Sequence, residues 1–332
     1  MLGRSSEFGL IAALTATTLV VAAASLFIGY APLATREVID GLFGGAGTAG
    51  IIMQDIRLPR MILGLMSGAA LGITGAALQG LLRNPLAEPG VMGIAACASL
   101  GAVIAIYFGL SKEFPLALPA IAMLGALAAA GILSAMSGRD NGILILILAG
   151  VALANLAAAL MALAMNLAPN PWAVSEIIYW LMGSLKDRSM EEVYLAAPFV
   201  AVGLALLAFS GRALDALTLG DEAASSLGVK VLSTQRLVTL GVALAVGASV
   251  AVTGAIAFVG LIVPHLCRPF VGHMPSRLLW PSAIGGALLV VAADTAVRLV
   301  PSGPELMLGV FTSLIGVPFF LWLVFKLRRE VQ

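Results

Sequence analysis

Long uncharged runs recur from one end of the chain to the other, broken by short polar islands. A stretch of ~20 apolar residues crosses a ~30 Å hydrocarbon core as a helix. The runs predict spans at roughly 8–30, 59–82, 91–110, 115–137, 142–167, 190–210, 235–252, 254–271, 279–300 and 306–326. The expected fold class is an all-α polytopic membrane protein of about ten transmembrane helices. The hardest boundary lies within Leu237–Leu266, which carries no Asp, Glu, Lys or Arg. As one helix at ~1.5 Å per residue it would overshoot the bilayer by roughly half, so two helices turning at Thr253-Gly254 are expected. Met1 to Tyr30 reads as the first span, because its apolar part is long and no clear small-x-small cleavage site precedes a soluble domain.

Charge then orients the spans. With ten, both termini share a side with the loops holding Arg83, Arg139, Arg212, Lys230, Arg236, Arg268 and Arg277. Arg4, Lys326, Arg328 and Arg329 join them, making eleven of the 18 basic residues. The positive-inside rule places that side, the termini and the 211–235 loop in the cytoplasm, and nine spans would strand the C-terminal cluster outside. A faint internal repeat relates spans 2–5 to spans 7–10. Arg60 leads to Thr74-Gly75-Ala76 and Arg236 to Thr253-Gly254-Ala255, on spans of opposite direction, as in transporters built from inverted repeats.

Composition changes the picture little. Hydrophobic residues make up 61% of the chain and charged ones 11%, which excludes an ordinary soluble domain. The 37 glycines fit close helix packing in lipid. A net charge of +1 gives no reason to expect nucleic acid as a partner. Cys97 and Cys267 read as small packing residues, with neither a disulfide framework nor metal spacing.

The polar islands carry the candidate chemistry. In Leu219–Gly228, Thr218-x-x-Asp221 is a capping-box pattern, Asp221 and Glu222 sit in the first turn, and Gly228 stands where a helix would stop. Ala223, Ala224 and Leu227 share one side, so this is either a helix docking into a soluble partner or a plain solvated loop helix. In Gln79–Gly90, Pro85 and Pro89 flank a turn tipped by Leu86, either a stiff plug or a simple connection. Arg57 and Arg60 stand at the outer end of span two and Arg298 at the outer end of span nine, open to two readings. They meet a carboxylate on an arriving protein, or they snorkel to the interface.

Asp294 lies mid-span in span nine, where a lone carboxylate is expensive. Arg298 at i+4 can pair with it, and a proton relay is the other reading, with no second buried acid in view. His265 and Cys267 fall on different helix faces, so no metal site is expected there. No phosphate loop or nucleophile–base set is present, so any nucleotide hydrolysis belongs to another polypeptide. The aromatics between Asn166 and Tyr194, with Met182, are interfacial anchors or the mouth of a cargo cavity.

Several runs together carry a family resemblance: Arg57-Leu-Pro-Arg60, Gly68 through Gly80, Arg83-Asn-Pro-Leu-Ala-Glu-Pro-Gly90, Leu148-Ala-Gly-Val151, Tyr179 through Ser184, Leu219 through Gly228, Gly254 through His265, Ala293-Asp294 with Arg298, and Gly309 through Trp322. Over almost its full length the chain resembles the membrane permeases of bacterial ABC importers for iron chelates, haem and vitamin B12. The resemblance implies ten helices, a homodimer around the pathway, two cytoplasmic ATPase subunits that use ATP and Mg, and a periplasmic binding protein. It implies a bacterial inner-membrane location and no cofactor on this chain. The stretch Gly220, Asp221, Glu222, Ala223, Ala224, Leu227 and Gly228 corresponds to the ATPase-coupling helix. Arg57, Arg60 and Arg298 correspond to arginines that meet the binding protein. Asn84 and Leu86 match one cytoplasmic gate, and Ile143 and Leu144 another, where the B12 permease has polar residues. The expected cargo is an iron complex, haem or a ferric siderophore, with cobalamin as the alternative. From another class, a proton-coupled secondary transporter working through Asp294 is the rival reading.

Overall fold

The structure is a computed structural model and describes residues 4–45, 47–114, 116–137, 143–300 and 305–331. Arg139, part of the charge argument above, lies outside them. The described residues form helices and connecting loops. Helix α1 spans Arg4–Phe27, followed by short helices α2 (Thr35–Leu42) and α3 (Thr48–Ile51). A π-helical turn, Ile52–Arg57, joins α3 to α4 (Leu58–Leu81). The Leu58 N–H bonds back to the Met53 carbonyl, and Pro59 follows at once with no N–H to place. The wide turn thus falls where the proline would otherwise break the ladder, and the helix starts well before the residue 59 that hydropathy marked.

A 3₁₀ turn, Pro89–Met92, leads to α5 (Ile94–Tyr107), α6 (Leu110–Glu113), α7 (Ala117–Met136) and α8 (Ile143–Asn166). Next come α9 (Pro171–Leu181) and α10 (Met190–Phe209). Asn170 caps α9 by accepting from Ala173 N–H, and Ser189 with Glu192 forms a capping box on α10. The short α11 (Gly211–Leu217) and α12 (Asp221–Ser226) precede α13 (Val231–Thr253), α14 (Val259–Cys267), α15 (Pro275–Leu299) and α16 (Leu308–Val331).

Eight helices among the described residues are long and apolar enough to cross a membrane. Two shorter apolar helices, Ile94–Tyr107 and Val259–Phe270, take the third and eighth places in the expected order. Each half of the chain therefore runs long, short, long, long: α4, α5, α7, α8 and then α13, α14, α15, α16. That is the order an inverted repeat of spans 2–5 and 7–10 requires. The triplets that hinted at it are not equivalent, however. Thr74 lies inside α4, whereas Thr253 ends α13.

The turn expected at Thr253-Gly254 is present: Gly254 has φ 70° and α14 starts five residues later. Both short helices follow irregular backbone, 82–93 before α5 and 254–258 before α14, and the two irregular pieces meet. The Glu88 carboxylate accepts the backbone N–H of Phe258, itself a left-handed residue at φ 67°. Non-helical backbone in a membrane protein is tolerated where it is buried in protein or lines a cavity, and here Glu88–Gly90 and Ile256–Phe258 lie together while Ala255 and Ala257 border an open hollow.

Helices α4, α13 and α15 are mostly buried, while α1, α8, α10 and α16 show large exposed apolar faces. The crossing of α4 on α15 sets how tight the centre is. A Cβ on Gly68 would strike the Gly286 carbonyl, and one on Gly72 would strike the Ser282 carbonyl. Backbone against backbone is the contact small residues allow in lipid, where apolar burial alone does not drive association.

Candidate functional site

At the N-terminal end of α4 and the C-terminal end of α15 the structure gathers charges that lie far apart in sequence. Arg60 donates to Asp294 through Nε and Nη2 at 2.8–3.0 Å, and its Nη2 also meets Glu305. Arg298 Nη2 stands 3.1 Å from the Asp294 carboxylate, the i,i+4 pair expected from spacing. Side-chain exposure is 9% for Arg60, 3% for Asp294 and 6% for Glu305, so these are buried ion pairs. Asp294, expected mid-span, is one and a half turns from the C-terminal end of α15, nearer that end than the middle.

The remaining donors finish α1. Arg57 donates to the carbonyls of Leu26 and Ala31, each at 2.6 Å, and Arg298 to those of Ser25 at 2.9 Å and Ile28 at 2.6 Å. A helix leaves its last four carbonyls without partners, and α1 has no basic residue in its own last turn. Two arginines from other helices supply the cap and oppose the negative end of the helix dipole. Arg57, Arg60 and Arg298 are all buried, with the donors named above engaged inside the chain. The expectation of no second acid near Asp294 is corrected, since Glu305 supplies one.

At the opposite end, α12 forms where expected, with differences in its caps. Gly220 at φ 99° is the N-cap, and the Thr218 hydroxyl donates to the Asp215 carbonyl instead of closing a capping box. Gly228 ends the helix as predicted: its N–H bonds to Ser225, and Val229 N–H reaches back to Ala224. The expected single apolar side is split. Ala224 is fully buried against its own chain, while Leu219 and Leu227 are 67% and 66% exposed and bracket the helix. Glu222 is exposed and Ala223 half-buried.

The turn after α4 is wired to this helix. Arg83 Nη2 lies 3.1 Å from Asp221, and Asn84 Oδ1 accepts the Leu86 N–H at 2.9 Å, closing a tight turn. Asp215, on α11, accepts both the backbone N–H and the hydroxyl of Ser276 and so caps α15. The α11–α12 segment is thus in direct contact with both the turn at Asn84 and the start of α15. Ile143 and Leu144 open α8, the first half-buried and the second 67% exposed. Two turns on, Gly150 of α8 sits against the Val91–Met92 backbone, so α8 runs beside the irregular segment that begins at the Asn84 turn.

Between these two ends lies an open hollow of 620 Å³, lined by Leu181, Met182, Ala255, Ala257, Gly309, Val310, Ser313, Leu314, Val317 and Pro318. Ser184 N–H bonds to Thr253 and Gly309 N–H to Gly183, which ties its three walls together. Of the aromatics flagged in sequence, Trp172, Tyr179 and Tyr194 are exposed. Met182 alone of that group lines the hollow.

Residues 17–326 match the FecCD transport family. The chain belongs to that family. It is 40% identical over 293 residues to the cobalamin import system permease BtuC of Halobacterium salinarum, covering 87% of this chain and 77% of that one. It is 38% identical over 305 residues to the Fe(3+) dicitrate transport system permease FecD of Escherichia coli, covering 92% and 94%. With the hemin transport system permease HmuU of Yersinia pestis it shares 37% over 283 residues, 84% of each. Among solved structures, a metal-chelate type ABC transporter in an inward-facing conformation superposes with a TM-score of 0.84 at 30% identity, covering 96% and 99%.

This FecCD chain is thus a multi-pass transport subunit, and its resolved contacts include some that sequence reasoning missed. Glu305 and the carbonyls of Ser25, Leu26, Ile28 and Ala31 had no local signal, because their arginines come from helices far away in sequence. Glu88 had one: a carboxylate between prolines in an irregular segment needs a donor, and Phe258 provides it.

Proposed function

We propose that this chain is the permease subunit of an ATP-driven importer that carries an iron complex, haem or a ferric siderophore, from periplasm to cytoplasm. Cobalamin is the alternative cargo within the same family. Family membership over nearly the whole chain carries this reading. The cargo class follows from relatives named for cobalamin, ferric dicitrate and hemin, all large metal chelates. The largely apolar hollow beside Met182 suits such a ligand. Two copies of the chain enclose the pathway. The segment around α12 docks on a pair of ATPase subunits that bind ATP and Mg, and a periplasmic protein delivers the cargo. The protein sits in the bacterial inner membrane with both termini cytoplasmic.

In mechanism, Leu219 and Leu227 seat α12 on the ATPase, whose closure displaces it as a rigid element. The Arg83–Asp221 pair passes that motion to the Asn84–Leu86 turn, and Asp215 passes it to α15. The gate composed of Asn84, Leu86, Ile143 and Leu144 then opens or closes on the cytoplasmic side. Only a difference in binding energy between two states is needed for this coupling. With its arginines turned inward, the outer face receives the delivery protein through other surface groups, or through these arginines only after their internal pairs have opened.

The test is uptake into liposomes holding the permease and its ATPase, supplied with binding protein and a panel of haem, ferric siderophores and cobalamin. ATP-dependent uptake of one compound is the expected result. Uptake that ignores ATP and follows a proton gradient would overturn the reading.

A further inference from the structure

A second cavity lies beside the α12 segment, and the transport reading gives it no role. It has a volume of 220 Å³ and is formed by the end of α4, the Asn84 turn, the segment leading to α12, and the stretch between α14 and α15. Its polar lining is Gln79, Arg83, Asn84, Thr218, Arg268 and His273. Two guanidiniums and an imidazole thus converge on one small space, and none of its lining residues is a carboxylate.

The charge there is only partly compensated. Arg83 has Asp221 beside it at 3.1 Å, whereas Arg268 meets only the neutral side-chain oxygen of Gln79. Among the described residues no carboxylate pairs with Arg268, and its Nε is buried with no hydrogen bond. Gln79 is neutral and supplies no counter-charge, and its amide nitrogen donates to the Gly260 carbonyl at 3.3 Å. A guanidinium charge that no carboxylate answers is costly to bury, and an anion in the cavity beside it lowers that cost. Arginine forks and a nearby imidazole match the oxygens of a phosphate group in both geometry and charge.

We propose that this cavity is a phosphate-binding site, held by Arg268 with Arg83 and His273, that takes either the phosphate of an anionic lipid headgroup or a free phosphate. Both sources offer the same chemistry, and a cavity at the basic end of the helices is open to each. A bound phosphate joins the Asn84 turn to the stretch after α14 and to the chain entering α12. It thereby braces the elements that the gate and coupling segment share.

The full chain, purified in an uncharged detergent with its lipid removed, is titrated with inorganic phosphate against chloride at constant ionic strength, and its thermal midpoint is followed. A ligand that binds only the folded protein raises that midpoint in a saturable way. The expected result is saturable protection by phosphate that chloride does not give, with Arg268→Gln moving the half-saturation point up by about tenfold or more. Arg268→Lys and His273→Ala shift it less, and they decide the matter if Arg268→Gln does not fold. Phosphatidylglycerol added to the micelles competes with phosphate if the headgroup is the occupant, while phosphatidylcholine at equal amount does not. Protection by phosphate without lipid competition assigns the site to the soluble ion. No protection beyond chloride, or equal protection of every variant, overturns the proposal.

Discussion

Single side chains where α4 begins and α15 ends show how a charge inside a membrane protein is made tolerable. Asp294 sits between two guanidiniums, and removing one partner of a buried pair typically costs about 3–5 kcal/mol because the other is left stranded. Asp294→Asn is expected to lower the melting midpoint sharply or prevent isolation of monodisperse protein. Glu305→Gln should cost less, since Asp294 still satisfies Arg60. A wild-type melt for Asp294→Asn would show that the pairing is not structural. The same geometry argues against a proton carrier, since the Asp294 carboxylate is buried and both its oxygens are engaged by arginine. Spacing revealed only part of this. Arg298 at i+4 was legible because a helix fixes that distance. Arg60, from 234 residues away, was not, nor was the debt of unsatisfied carbonyls at the end of α1 that Arg57 and Arg298 settle.

Among the elements, α12 and the α4–α15 crossing make opposite demands. Leu227 is exposed and touches little of its own chain, so Leu227→Asp should leave the fold intact while abolishing ATP-driven uptake and weakening recovery of the ATPase with the permease. Normal uptake and assembly in that variant would remove α12 from the coupling role. Ala224 would be a poor probe, because it is buried and a charge there would disturb folding first. At the crossing, Gly72→Leu should prevent accumulation of folded protein, since its side chain has a carbonyl in the way. Gly131→Ala on α7 meets nothing within 4 Å and should be neutral or slightly stabilising, by up to about 1 kcal/mol. Comparing the melting midpoints of the two tests whether contact or glycine itself matters. The helix at 221–226 and its Gly228 stop were readable from cap residues, while its inward side was not. Ala223, Ala224 and Leu227 share a side by periodicity, yet which way that side faces depends on the neighbouring helices.

For the whole molecule, hydropathy alone found the class and nearly all the spans, because the bilayer sets one length for every independent helix. It failed at the two places where length and structure part company, α5 and α14. Their runs look like ordinary spans, but part of each is irregular backbone covered by another segment. This has a consequence for biogenesis. The ribosome delivers ten greasy segments, and the insertion machinery judges each by hydrophobicity before its neighbours have arrived. A segment holding bare peptide groups at 254–258 cannot rest in lipid until α4, the Glu88 turn and α16 receive it. A chain truncated after residue 271 should therefore leave that last segment reachable by a membrane-impermeant cysteine reagent at an introduced site, while the full-length chain protects it. Equal protection in both would mean that the segment settles unaided. Synthesis order then matters: the half-helix waits, loosely held, for the final two spans to close over it.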